Sequence, residues 1–295
     1  MQLLGPAQIR DLADLLDVTP TKKLGQNFVI DANTVRRIVR VGGVEAGDVV
    51  LEVGPGLGSL TLGLLETGAS VVAVEIDGRL AAQLPITVAE LAPEASSKLT
   101  VLHQDALKVT ELPAAPNRLV ANLPYNVSVP VLLHLLQTVP TLASGVVMVQ
   151  AEVGQRLAAE PGSKVYGGPS VKAAWYGSWR TAGQVSRQVF WPVPNVDSIL
   201  VAFERHELAD DDPRNDDELR RRVFAVVDGA FGQRRKMLRQ ALAGIFGDSA
   251  RASAALEQAG LPTTARGEEL TVEQFTALGL LLPSTGESPE QSSRV

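Results

Sequence analysis

Short, unbroken apolar runs alternate along this chain with stretches whose apolar positions recur at helical spacing. DVVLEV (48–53) is apolar and β-branched, which predicts a strand buried on both faces. GPGLGSLTLGLLETG follows as a glycine turn opening a helix that stops at Gly68. SVVAVEID (70–77) predicts a second strand, and GRLAAQLPITVAELA a helix bent at Pro85. LTVLHQDAL (99–107), RLVANL (118–123) and GVVMVQAEV (145–153) predict three more strands. Strands alternating with helices predict a parallel sheet covered on both faces, a doubly wound Rossmann-like α/β domain. Helices at 7–16 and 32–41 are expected to pack on it.

The pattern changes after residue 170. VKAAWYGSW (171–179), QVSRQVFW (184–191) and DSILVAFER (197–205) predict strands between polar turns. Beyond Arg205 the β signal stops, and an acidic, proline-containing linker (210–217) leads to helical segments at 219–227, 234–243, 250–259 and 272–280. The predicted organisation is an α/β domain over 1–205, a smaller all-helical domain over 206–282, and a Ser-, Pro- and Glu-rich disordered tail over 283–295. No internal repeat is apparent.

Composition narrows the chemistry. The chain has 295 residues, no Cys and three His, so disulfides, thiol catalysis and Cys-zinc sites are excluded and a His-metal centre is not expected. Asp11 and Asp14 interrupt what would otherwise be a leader, so no secretory signal is expected. The uncharged stretch 119–151 has the length of a membrane span, yet Pro124, Pro130 and Pro140 cut it into short pieces. A soluble, cytoplasmic protein is the expectation. The formal charge of −6 argues weakly against a polyanionic partner, but its distribution is uneven. Acidic residues crowd 210–218, and basic ones follow at Arg220, Arg221, Arg222, Arg234, Arg235, Lys236 and Arg239.

Four strand ends carry the candidate chemistry. LEVGPGLGSLT places Gly54, Gly56 and Gly58 where the backbone must turn tightly beside a ligand; the spacing is G-x-G-x-G, not the G-x-G-x-x-G of dinucleotide binders. Glu75 ends the second strand, where a carboxylate accepts hydrogen bonds from ribose hydroxyls. Asp105 ends the third, suited either to an adenine amino group or to capping a helix. The fourth ends in Asn122-Leu123-Pro124-Tyr125. An adenine amine is a poor nucleophile because its lone pair is delocalised. Two acceptors aimed at its N–H groups, the Asn122 side-chain carbonyl and the Leu123 backbone carbonyl, would favour the pyramidal form. Pro124 stiffens that turn, and Tyr125 offers a ring for base stacking or, alternatively, packs on the core.

These stretches, in order, resemble the small-subunit rRNA adenine dimethyltransferase family. The resemblance runs from KKLGQNFVID (22–31) through the glycine turn, Glu75, Asp105 and NLPYNVS. It continues in MVQAEVGQRL (148–157), VFWPVPNVDSIL (189–200) and FGQRRKMLRQAL (231–242), covering all but the two ends of the chain. It implies an S-adenosylmethionine-dependent enzyme, without a metal, that dimethylates N6 of two adjacent adenines near the 3′ end of 16S rRNA during small-subunit assembly. It implies that Gln26, Asn27 and Val29 border the methyl donor, with Phe28 beside them. Gly54 and Gly56 would approach the donor's methionine part, Glu75 its ribose and Asp105 its adenine, with Asn122 where donor and target meet. Phe190 is similar to the aromatic that clamps the target base opposite Tyr125, with core packing as its alternative. Arg221, Arg222, Arg234, Arg235, Lys236 and Arg239 would contact RNA phosphates, or else pair with the acidic run. Asn195 stands where the family often has Lys, and Met237 where it often has Thr. A monomer acting on the 30S subunit or its precursor is implied. The rival readings are a 23S rRNA methyltransferase of the macrolide-resistance type and a largely non-catalytic assembly factor.

Overall fold

The computed structural model of the protein describes residues 2–18 and 27–283. The chain forms two compact units, one within Met1–Ala158 with Gly177–His206, the other within Ala159–Tyr176 with Glu207–Val295. The second unit takes in residues 159–176 as well as those from Glu207 on, whereas the sequence expectation is a single boundary at 205. The tail beyond Pro283 lies outside the described residues.

In the first unit, α1 (Pro6–Leu15) precedes β1 (Phe28–Val29) and α2 (Ala32–Val41). Asp31 starts α2 by accepting from the Thr34 backbone N–H at 2.7 Å. Then come β2 (Val49–Val53), α3 (Ser59–Glu66), β3 (Ser70–Glu75), α4 (Gly78–Leu91), β4 (Leu99–His103) and β5 (Arg118–Asn122). Next are α5 (Ser128–Thr138), β6 (Ser144–Gln150) and α6 (Ala151–Leu157).

The seven-stranded sheet, completed by two later strands described below, has the order β4-β3-β2-β5-β6 and then two antiparallel members. The chain winds outward from β2 to β4, then returns to place β5 on the other side of β2. That reversal is the switch point at which open α/β sheets bind ligands, at the carboxyl ends of the strands. Alternate strand residues (Val50, Val71, Ala73, Val120, Val146, Met148) join one core with α1–α4. Leu51, Val72, Leu119 and Val147, which point the other way, are buried too. Burial on both faces explains why the strands read as continuous apolar runs.

The segment 171–179 departs from expectation. Its first part lies in a helix, α7 (Gly168–Tyr176), of the second unit, and only from Gly177 does β7 (Gly177–Val185) begin. Aromatic and β-branched residues give this stretch a strand-like composition. Burial of Val171, Ala173, Trp175 and Tyr176 in the second unit overrides that local preference. The run 184–191 likewise divides. β7 ends at Val185, a 3₁₀ turn spans Arg187–Val189, and β8 (Phe190–Trp191) pairs antiparallel with β1. β9 (Ser198–Arg205) is inserted between β6 and β7.

The second unit continues with α8 (Asp217–Gly232), α9 (Leu238–Ala241), α10 (Ala243–Phe246), α11 (Ser249–Gln258) and α12 (Val272–Leu280). It is helical, as expected, but the helix anticipated over 234–243 begins only at Leu238. Residues 233–236 form the turn after α8. Among the described residues no helix is long and apolar enough to cross a membrane.

Candidate active site

A cavity of about 260 Å³ opens in the first unit at the carboxyl ends of β2, β3 and β5 and just beyond β4. Asn27, Val29, Gly54, Gly56, Glu75, Asp105, Asn122, Leu123, Pro124 and Tyr125 all line it, so the sequence-predicted residues converge there. Gln26 lies outside the described residues, and Phe190 is not part of the wall.

The glycine turn is shaped by backbone need. Gly54, Gly56 and Gly58 have φ of 68°, 58° and 99°, in the left-handed region that L side chains seldom adopt. A Cβ on Gly56 would come within 2.9 Å of the Phe28 ring. The absent side chain therefore lets Phe28 pack over the turn and keeps the Gly56 N–H available. That N–H donates to Glu75 Oε2 at 3.2 Å, while the Asp77 N–H donates to Oε1 at 3.0 Å.

Glu75 is only 4% exposed. Burial raises its pKa, opposed by these backbone donors. With the Ile76 N–H these make three backbone donors on the carboxylate, which still has acceptor capacity left. Asp105 serves as a cap at the cavity rim. Its Oδ1 accepts from the Leu107 N–H at 3.0 Å, capping a 3₁₀ turn, and the residue lines the cavity as well.

A third carboxylate was legible but unclaimed. Glu52, 1% exposed and the penultimate residue of β2, lines the same cavity. Thr61 Oγ1 donates to its Oε2 at 2.6 Å, and Oε1 is buried without a partner. Burial lifts its pKa to about 8; the Thr61 bond works against this and the neighbouring Glu75 charge adds to it. The signal was an acid inside an otherwise apolar buried run, where a charge is costly without a purpose. Ile76 and Leu107, both exposed yet cavity-lining, were also overlooked.

At the end of β5, Asn122 Nδ2 donates to the Asn27 carbonyl at 3.0 Å. A carbonyl can only accept, so this bond fixes the amide orientation and leaves Oδ1 as the free acceptor. Tyr125 is partly buried, and its hydroxyl hydrogen-bonds Ser198 Oγ at 2.6 Å. Burial raises the phenol pKa, with the Ser198 bond opposing. Tyr125 is therefore a neutral ring on the wall.

Phe190 is where sequence expectation and structure part. Its ring is 1% exposed within the core shared with Phe28 and Val29, because β8 pairs with β1 and sets Phe190 opposite Val29. Core packing, the alternative use of this residue, is what the ladder enforces. The aromatic on the cavity wall besides Tyr125 is Phe28, stacked on Trp191 with centroids 6.4 Å apart.

In the second unit the basic residues divide. Arg222 donates to the Leu282 carbonyl at 2.7 Å, and Arg221 lies 3.9 Å from Glu218. Arg234 pairs with Glu268 at 3.1 Å and donates to the Lys164 carbonyl at 2.8 Å. These three are engaged within the unit. The side chains of Arg235 and Lys236, exposed in the turn, and of Arg239 on α9 have no hydrogen-bond or ion-pair partner among the described residues. Among those residues no cluster of three or more metal-ligating side chains occurs.

The fold accords with comparisons to known proteins. The model of the family described as ribosomal RNA adenine dimethylase matches residues 19–281. The ribosomal RNA small subunit methyltransferase A of Leifsonia xyli subsp. xyli is 75% identical over 278 residues, 94% of this chain and 98% of that protein. Its namesake from Streptomyces avermitilis is 59% identical over 94% of this chain and 92% of the relative. Among solved structures, the 23S rRNA methyltransferase ErmE is 25% identical with a TM-score of 0.63, covering 86% of this chain and 98% of ErmE. A dimethyladenosine transferase from Plasmodium falciparum, 22% identical, shares the fold at a TM-score of 0.68 over 84% of this chain and 94% of its own. The chain belongs to the ribosomal RNA adenine dimethylase family, whose members are methyltransferases.

Proposed function

We propose that this enzyme transfers methyl groups from S-adenosylmethionine to N6 of two adjacent adenines near the 3′ end of 16S rRNA, in the 30S subunit or its assembly intermediate. The observation that carries this reading is the convergence of Glu75, Asp105, Asn122 and the glycine turn on one cavity. The residues suit the donor. Gly54 and Gly56 permit close backbone approach, and Glu75 has spare acceptor capacity for ribose hydroxyls. Asp105 suits an exocyclic amine, and Glu52, whose Oε1 is unpartnered among the described residues, adds a buried carboxyl that a cationic ligand would draw into its charged form. When bound, the donor supplies a methyl group already activated by its sulfonium.

The protein's own work is to bind, orient and accept. Asn122 Oδ1 and the Leu123 carbonyl accept from the amino N–H groups of the target and favour its pyramidal, nucleophilic form. Pro124 restrains the turn that presents both. Tyr125 stacks on the target base, which must leave its helix to reach the cavity. Phe190 supports the wall from behind rather than clamping the base. Arg235, Lys236 and Arg239, the cations not engaged elsewhere, contact RNA phosphates, whereas Arg221, Arg222 and Arg234 hold their own unit together. The protein acts as a monomer in the cytoplasm, where ribosomes assemble.

A large-subunit target is less well supported, since the relatives of highest identity given above bear a small-subunit name. The deciding experiment offers labelled donor with unmethylated 30S and 50S particles and maps the modified nucleotides. Two dimethylated neighbours near the 16S 3′ end are expected, and label in 23S rRNA would overturn the assignment.

A further inference from the structure

We infer that Ser198 is a positioning residue for methyl transfer, acting through the Tyr125 ring. The inference rests on the proposed role of Tyr125 as the base platform.

Topology brings the two residues together. β9 runs antiparallel to β6, so its first residue lies at the carboxyl end of the parallel strands, the end that carries the cavity. There Ser198 is in register with Gln150 of β6 and Val185 of β7, and it is completely buried. Its backbone is held on both sides by the ladders, and the Ala151 N–H donates to the preceding Asp197 carbonyl at 2.8 Å. The Ser198 hydroxyl therefore has a fixed position.

Tyr125 begins from a different element, three residues past the end of β5. Its phenol reaches Ser198 Oγ at 2.6 Å, short for a hydroxyl pair, and either oxygen can donate. The ring is thus held at two points, its Cα by the Pro124 turn and its hydroxyl by β9. Free rotation about χ1 and χ2 is lost, so the ring keeps one plane beside Asn122 before any base arrives. Preorganisation of this kind lowers the entropy still to be lost in reaching a reactive arrangement. Ser198 itself is not among the cavity-lining residues, so it acts only through Tyr125.

The test uses the full-length enzyme with unmethylated 30S particles. Ser198→Ala, Tyr125→Phe and the double variant are compared for kcat, KM for particles, and donor Kd by calorimetry. Each single variant is expected to lose about tenfold in kcat with donor Kd unchanged, the size of one lost positioning hydrogen bond. The double variant should be no worse than the worse single one. Ser198→Thr, which keeps the hydroxyl, should recover most of the rate. Unchanged kcat in Ser198→Ala, additive losses, or failure of Ser198→Thr to recover a rate lost with correct folding would each overturn the inference. Tyr125→Ala separates the two levels. If it transfers normally, the platform reading itself fails; if it is impaired while Ser198→Ala is not, only the role of Ser198 fails.

Discussion

The two ends of the central sheet treat polar groups in opposite ways. At the amino end of β2 and β5, Asp48 accepts from Asn117 Nδ2 at 2.7 Å, Arg118 Nε at 2.6 Å and the Glu45 N–H at 2.8 Å. Arg118 also donates to Ser144 Oγ and the Gly42 carbonyl, and Asn117 Oδ1 accepts from the Val49 N–H. Burial pushes the Asp48 pKa up, but the Asn117, Glu45 and Arg118 interactions outweigh it and the net shift is downward. At the carboxyl end, Glu52 and Glu75 are pushed the other way, and one oxygen of Glu52 has no partner at all. One end is saturated and serves stability. The other keeps acceptors unsatisfied, a cost that a ligand can offset.

Substitutions should separate the two ends. The largest effect on donor binding is expected from Glu75→Ala, which removes the carboxylate held by Gly56 and Asp77; donor affinity measured by calorimetry should fall about 100-fold. A donor Kd within twofold of wild type would remove Glu75 from the site. Arg118→Ala, at the opposite end, should lower unfolding free energy by about 2 kcal/mol in urea titrations, because Asp48 loses its charged partner. Donor Kd should not change, and a parallel loss of donor binding would erase the contrast between the ends.

The two ends should also differ in pH dependence. Glu52 holds its proton in the folded state up to about pH 8, whereas an exposed Glu loses it near 4.5. Within that window folding takes up a proton, so stability falls as pH rises from about 4.5 to 8 and then levels off. Asp48, lowered on folding, behaves oppositely: its contribution is present above its unfolded pKa and is lost as pH falls through the acid range. Glu52→Gln should flatten the neutral-range decline and leave the acid limb intact. A variant whose pH–stability curve superimposes on wild type would show that Glu52 is not held protonated.

The sequence made much of this legible for a physical reason. Strands buried on both faces carry uninterrupted apolar runs, so β2, β3, β5 and β6 stood out together with the strand ends that bear Glu75 and Asn122. What stayed hidden depends on partners far away in sequence. The β1–β8 ladder is two residues long, too short for any pattern, yet it decides that Phe190 is core and Phe28 is wall. The helix α7 reads as a strand because tertiary burial, not propensity, sets its state. Glu52 sat inside a quoted motif, and its meaning appears only once Thr61, Glu75 and the cavity surround it. Arg221, Arg222 and Arg234 resembled Arg235, Lys236 and Arg239 as charges in a row, and only their hydrogen bonds distinguish them.

The central claim is that the carboxyl end of the sheet activates an amine by placed acceptors, with Asn122 chief among them. Asn122→Ala tests it most directly when transfer to unmethylated 30S particles and donor affinity are measured on the same preparation. Transfer should fall by about 1,000-fold, the upper range for losing one placed hydrogen-bonding group, while donor Kd stays within a few-fold of wild type. A variant that transfers methyl groups at the wild-type rate, or one whose loss is fully accounted for by weakened donor binding, would contradict it.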